Sequence, residues 1–232
     1  MAAESVAALN SVTNAGVLHR YLFIGKKIMK AVSPVREQLL EHTLVLLGTR
    51  GYNGFSYRDL AELVGVKTSS IHYYFPTKED LALAAVQAYA ANIGEIMRGM
   101  DVNGPLKEQV EKYLALWRKN LGTGRVCLCG MLAAEATSLP QNVLAALQAF
   151  YSMHEAWITQ RLERAVADKG VQLPAPPSVY AMTILGALQS GLISARLFGK
   201  PCRLDAASAM LRSAVTPENG KQQAAPADAV LS

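Results

Sequence analysis

Apolar residues recur along this chain at spacings of three and four, the repeat of one face of a helix. They rarely alternate singly, as a half-buried strand would require. Leu39, Leu40, Thr43, Leu44 and Leu47 mark a first helix. Ser33 suits its N-cap, Pro34 sits in the first turn where a missing N–H does no harm, and Gly51 stops it. A second helix starts at Ser56, where Ser56-Tyr57-Arg58-Asp59 approximates a capping box with Asp in place of Glu. Leu60, Ala61 and Val64 form its apolar face and Gly65 ends it. After a tight turn through Val66, a third short helix is predicted from about Thr68 to Tyr74, closed by Phe75-Pro76. Thr77 then caps a long helix with its body from Leu81 to about Met97.

The remainder reads as longer helices. One starts near Pro105 and carries Val110, Tyr113, Leu114 and Trp117; a short one covers Cys127 to Thr137; a long one runs from about Pro140 to Lys169, closed by Gly170. Leu173 to Pro177 is a rigid connector, followed by helices over about Ser178 to Phe198 and Leu204 to Val215. The predicted fold class is all-α: an N-terminal three-helix helix-turn-helix domain followed by a C-terminal helical bundle. The expected units are an arm over 1–32, the helix-turn-helix over 33–80, the bundle over 81–215 and a Gln-, Ala- and Pro-rich tail over 216–232. Met29, just before the organised part, is a second candidate start.

Composition supports this reading. Half the residues are hydrophobic (51%), enough to bury a real core. The net charge of +5 and pI near 9.1 suit a polyanionic partner without requiring one. From Pro34 to Ala85 five Lys/Arg stand against six Asp/Glu, so any positive charge meeting phosphates there must be gathered on one face. The first 33 residues add Arg20, Lys26, Lys27 and Lys30 against Glu4, which makes the arm basic. Three cysteines without a secretory signal point away from a disulfide framework and toward the cytoplasm. No apolar run approaches the roughly 20 residues that span a bilayer.

The chemistry concentrates between Ser56 and Lys78. In a helix-turn-helix the two helices cross tightly on small or apolar residues, here Ala61, Val66 and Ile71. The second helix must offer short polar side chains to base edges in the major groove, and Lys67, Thr68, Ser69, Ser70, His72 and Tyr73 meet that demand. Ser56 and Thr77 sit at helix N-termini that welcome phosphate, with Arg58 and Lys78 close by. The stretch GYNGFSYRDLAELVGVKTSSIHYYFPTKEDL, residues 51–81, closely resembles the DNA-binding segment of TetR/AcrR-type transcriptional regulators, and the likeness extends without a gap from about Val35 to Leu83. It combines the glycine spacing, the Phe75 stop and the entry to the fourth helix at Lys78-Glu79-Asp80-Leu81. The resemblance implies that Ser56 touches phosphate, that Lys67 to Ser70 face bases, that Tyr73 and Tyr74 contact backbone and groove wall, and that Lys78 binds phosphate. One departure is His72, where the family's pattern usually has tyrosine.

Past Ala85 the likeness loosens. It implies a homodimer that binds double-stranded DNA and responds to a small-molecule effector. The helix from Ser178 carries Gly186, Ala187, Ser190, Gly191, Ser194 and Ala195, small residues that let a partner helix approach closely; ordinary packing within the chain is the alternative. For an effector pocket the candidates are Trp117, Met131, Glu135, Phe150, His154, Trp157 and Tyr180, a mostly apolar set with few polar groups; plain core filling is the alternative. Cys127 and Cys129 resemble a segment of some TetR-type regulators that sense electrophiles or oxidants, with Arg125 nearby able to favour a thiolate; the plainer reading is two small buried hydrophobes. A metal site is not expected, since Cys-x-Cys lacks the usual spacing, and no cofactor fingerprint or catalytic set is present. The function expected is a sequence-specific, ligand-responsive repressor releasing a palindromic operator, against an architectural or adaptor DNA-binding protein without a ligand.

Overall fold

Two reciprocal caps set the register of the N-terminal helices. The Ser56 hydroxyl accepts from the Asp59 N–H at 3.3 Å while the Asp59 carboxylate accepts from the Ser56 N–H at 2.6 Å; Thr77 and Asp80 repeat the arrangement at 3.1 and 3.0 Å. The computed structural model describes residues 33–101, 103–119, 121 and 127–217. Among these, nine α-helices and no strand are present: α1 Pro34–Arg50, α2 Tyr57–Val64, α3 Thr68–Tyr74, α4 Lys78–Arg98, α5 Leu106–Arg118, α6 Leu128–Ala133, α7 Gln141–Lys169, α8 Pro177–Phe198 and α9 Cys202–Ser213. The basic arm, Arg125 and the tail beyond Pro217 lie outside the described residues.

The N-terminal helices pack around Leu39, Leu46, Leu47, Leu60, Ile71 and Leu81, all without solvent exposure. Gly65 closes α2 in the left-handed region at φ 74, which lets the chain turn at once into α3. α1 packs on α4, on α2 and, across the domain boundary, on α6. α4 continues onto α7, and α7, α8 and α9 form the body of the bundle. α9 is pinned to α5 by paired contacts from Arg212 to Glu111 at 2.5 and 3.0 Å, and Arg118 reaches Asp205 at 2.6 Å.

Three sequence expectations change. The short helix expected over Cys127 to Thr137 divides into α6 and a 3-10 turn at Ala136–Ser138. Glu135 stands at the break with φ −103 and ψ 16, drawn out of the helix by partners described below. The last helix starts at Cys202 rather than Leu204 and ends at Ser213. Finally, α8 is long and apolar enough to cross a membrane by length and composition, contrary to the statement that no such run exists. Here it is a bundle helix whose buried side (Ala181, Ile184, Leu185, Leu188, Leu192, Ala195) packs on α7 and α9.

Candidate nucleic-acid interface and its linked pocket

α3 presents the expected face. Ile71 is its one fully buried side chain, and around it Lys67, Thr68, Ser69, His72 and Tyr73 are exposed, with Ser70 half-buried. Tyr73 is 81% exposed, the most exposed large hydrophobic side chain described. Arg58 on α2 is open as well, held loosely to Glu62 at 3.4 Å, one helical turn on. Exposed pairs of this kind contribute little, so the guanidinium is available to a phosphate.

Other predicted contact residues have work inside the protein. The Tyr74 hydroxyl is 2.8 Å from the Ser33 hydroxyl and ties α3 to the start of α1. The His72 ring donates through Nδ1 to the Pro76 carbonyl at 3.0 Å and rests edge-on against Tyr57. Lys78 turns inward: its ammonium donates to the Phe55 carbonyl and lies 4.9 and 4.3 Å from the ring centres of Tyr52 and Phe55. Partial burial lowers its pKa, opposed by the charges of Glu135 and Asp59. Lys78 is thus a strut of the α1–α2 loop, whatever else it touches.

That loop is also held from the far side. Glu135 Oε1 accepts from the Tyr52 N–H at 3.0 Å, and its Oε2 accepts from the Asn53 N–H at 3.1 Å and from Asn53 Nδ2 at 2.9 Å. Asn53 Nδ2 reaches Ser138 as well, at 2.9 Å. Gly51 lets the carboxylate in: a Cβ there would lie 1.6 Å from Glu135 Oε1. Glu135 therefore belongs to a clamp on the reader domain and not to a pocket, which corrects the sequence assignment.

The other end of α6 meets a cavity. Cys127, its N-cap, lines a small, partly open pocket together with Tyr89, Ile93, Leu116, Trp117, Phe150 and His154. Of the predicted set, Trp117, Phe150 and His154 are there. Trp157 instead stacks on Tyr113 with ring centres 4.4 Å apart and carries Arg161 on its face, so it is core. Met131 is half-buried near Arg196, and Tyr180 is half-buried in the first turn of α8; neither lines the pocket. Cys129 is fully buried away from it. The Cys127 thiol is held well below its usual value by a hydrogen bond from Cys129, aided by the Gly130 N–H and Gln189 Nε2, while burial pushes Cys129 up. Tyr89, Ile93 and Leu116 had no distinguishing mark in the sequence, because an apolar residue lining a cavity repeats at the same spacing as one in the core.

The model of the tetR family of bacterial regulatory proteins matches residues 39–85, from α1 through α3 into α4. A TetR transcriptional regulator from Legionella pneumophila superposes with a TM-score of 0.72 at 26% identity, covering 81% of this chain and 100% of that one. A TetR-family regulator from Agrobacterium tumefaciens gives 0.72 at 28% identity, covering 76% and 95%. Residues 39–85 thus form a helix-turn-helix DNA-binding domain of the tetR family, and a helical C-terminal domain follows as in TetR-family regulators of known structure; the chain is a transcriptional regulator. The reduced form of Escherichia coli NemR, at 20% identity, shares the fold with a TM-score of 0.69 over 78% of this chain and 96% of that one. No curated protein matches the chain.

Within this bundle His154 carries a measurable signature. It is 3% exposed, its Nδ1 lies 2.8 Å from the Tyr113 hydroxyl, and burial lowers its pKa from 6.5 to about 4. The unfolded chain takes up this proton below pH 6.5 and the folded chain resists it down to about 4. Stability from this group is therefore complete above pH 6.5 and is lost as pH falls toward 4, about 2 kcal/mol by pH 5. Urea unfolding at pH 7.5 and 5.0 is expected to show that much more acid sensitivity in the wild type than in His154→Phe. Equal acid sensitivity in both proteins would place the titrating groups elsewhere.

Proposed function

We propose that this regulator is a ligand-responsive repressor: a dimer holds two α3 helices at operator spacing, and a small molecule in the pocket releases it from a palindromic operator. The observation that carries the reading is the path of α6. At one end Cys127 forms pocket wall, and two residues past the other end Glu135 grips the reader loop. A molecule that enlarges the pocket displaces α6, and α6 cannot move without straining three hydrogen bonds to the reader. Interfaces of this kind switch between discrete arrangements, and couplings of about 1–3 kcal/mol change DNA affinity about 5–150-fold. Cys127 is the thiol an electrophile entering the pocket would meet, whereas Cys129 serves as its buried hydrogen-bond donor.

Dimerisation is supported by the outer face of α8. Val179, Met182, Gly186, Ser190, Ile193 and Leu197 are exposed at helical spacing, an apolar stripe with small residues at its centre. A helix pair could approach closely there. For DNA contact we propose Lys67, Thr68, Ser69, Ser70 and Tyr73 on α3, with Arg58 and the α2 N-terminus at Ser56 on phosphate; His72, Tyr74 and Lys78 support that face. Duplexes selected by the protein from a random pool should yield a palindrome. Tyr73→Ala should then lose about 5–150-fold in affinity, and Arg58→Ala should weaken all sequences alike and flatten the salt dependence by about one. Unchanged binding by Tyr73→Ala would remove α3 from the interface.

A further inference from the structure

We propose that His72 holds a DNA phosphate through the outer nitrogen of its ring, and that it does so only by taking up a proton, so that operator binding is linked to pH. This rests on α3 being the reader of DNA. His72 is exposed, and its ring is oriented from two sides. Nδ1 lies 3.0 Å from the Pro76 carbonyl, and the ring meets Tyr57 edge-on with centres 4.8 Å apart. A carbonyl oxygen can only accept, so Nδ1 carries a hydrogen. Nε2 of the neutral ring is then a bare lone pair. Among the described residues nothing donates to it.

The place of the ring points to phosphate. Tyr57, against which it rests, is the first residue of α2 and lies between Ser56 and Arg58, the two residues assigned to phosphate there. His72 is also one turn past Thr68 and Ser69, on the same side of α3. It stands in the last turn, whereas the first turn of a reading helix goes deepest toward the bases. Phosphate oxygens only accept hydrogen bonds, so a neutral Nε2 would set lone pair against lone pair. A protonated Nε2 makes instead a short, charge-assisted bond of about 2.7–2.9 Å. Histidine is the side chain whose charge changes between pH 5 and 8, so an adjacent anion can draw the proton in. The Pro76 carbonyl favours the same state, since the charged ring keeps its Nδ1 hydrogen. The charged groups on the surrounding elements have other partners. Asp59 and Asp80 are engaged in the caps of α2 and α4, and Arg58 leans on Glu62. Lys78 turns in to the Phe55 carbonyl, and Glu79 acts on Tyr52. Lys67 stands at the opposite end of α3. The Tyr57 phenol is pushed well up by burial, keeps its hydrogen and donates it to the Phe75 carbonyl at 2.9 Å.

The test uses the full-length protein and its selected operator at constant salt, with His72→Phe and His72→Tyr beside the wild type; melting without DNA establishes that each is folded. Groups that titrate elsewhere are common to all three proteins and cancel in the comparison. His72→Phe has no proton to gain, so it should match the wild type at pH 8.0 and bind about 10-fold more weakly at pH 6.0; one proton sets a ceiling of about 10-fold per pH unit. His72→Tyr carries a hydroxyl that donates at either pH, so it should lack the wild type's pH response and exceed its affinity at pH 8.0. Calorimetry at pH 7.0 in phosphate and in Tris, whose ionisation heats differ, should count about half a proton more taken up by the wild type than by His72→Phe. An equal pH response in wild type and His72→Phe, or weakening of that variant by one factor at both pH values, would overturn the proposal and leave His72 a purely structural part of the reader. Wild-type affinity that falls with falling pH, relative to His72→Phe, would also overturn it, because a neutral Nε2 would then be accepting from a base amino group. Tyr73→Ala separates this contact from the reader assignment. Binding unmoved by Tyr73→Ala would take α3, and His72 with it, off the DNA. Binding weakened by Tyr73→Ala, with no pH difference at His72, would remove the phosphate contact alone.

Discussion

Gly51→Ala is expected to cost about 3–5 kcal/mol, a large loss for one added methyl group. Two independent effects add there. Gly51 has φ 75 and ψ −175, a region essentially closed to residues with a Cβ, and forcing one in costs about 1–3 kcal/mol. The new Cβ would also fall 1.6 Å from Glu135 Oε1, so the carboxylate must leave. Its departure strips Tyr52 N–H and Asn53 N–H of a charged acceptor, worth about 1.5–3 kcal/mol where water cannot fully replace it. The two effects separate in a double-mutant cycle. Glu135→Ala alone loses the clamp and keeps the glycine. In the double variant the methyl meets nothing from Glu135 and the clamp is lost only once, so its cost should fall short of the sum by the clamp's worth, about 1.5–3 kcal/mol. Urea unfolding supplies all four free energies. A loss under about 1 kcal/mol in Gly51→Ala, or strict additivity, would show that the clamp does not exist in solution. The operator assay adds a functional reading, because Glu135, just beyond α6, holds the α1–α2 loop through three hydrogen bonds. Glu135→Ala should retain operator binding while responding to pocket ligands less than the wild type does.

Local signals made the N-terminal half readable. Ser56 with Asp59 and Thr77 with Asp80 are three residues apart, Gly65 and Phe75 stop the chain where they stand, and Ile71 shows its inward face by spacing alone. Each depends on neighbours within one turn, which a sequence displays directly. Glu135 is the counterexample. An acid among Met131, Leu132 and two alanines looks like a polar group in an apolar pocket, and its true partners lie 82 and 83 residues away. Lys78 fails in the same way, since its acceptor belongs to Phe55, 23 residues back across the domain. The pocket was half visible. Trp117, Phe150 and His154 announced themselves by size, but Tyr89, Ile93 and Leu116 differ from core residues only in facing a void that three other helices leave. Packing over long range decides that, and spacing along one helix does not encode it.

The small residues of α8 illustrate how packing divides one motif between two roles, and they allow the dimer to be tested without disturbing the fold. A Cβ at Gly191 would stand 2.8 Å from the Ala207 Cβ and 3.2 Å from the Arg203 carbonyl, so this glycine serves the seam between α8 and α9 inside the chain. A Cβ at Gly186, further up the helix, meets nothing within 4 Å. A side chain there is free within one protomer, and replacing glycine in a helix interior even favours folding, by about 0.5–1 kcal/mol. Gly186→Glu should therefore keep its helical content and melt no lower than the wild type as a monomeric unit, while placing a carboxylate and its bulk where a second α8 would seat. Size-exclusion chromatography with light scattering should report a monomer. Operator affinity should fall about 10²- to 10⁴-fold, because two half-sites no longer hold one tethered pair of readers. Ile193→Glu, on the same face and half exposed, should act alike, whereas Gly191→Glu should lose helical content before any question of assembly arises. A Gly186→Glu protein that remains dimeric and binds its operator undiminished would move the interface off this face of α8, and the spacing of the two reading helices would then need another origin.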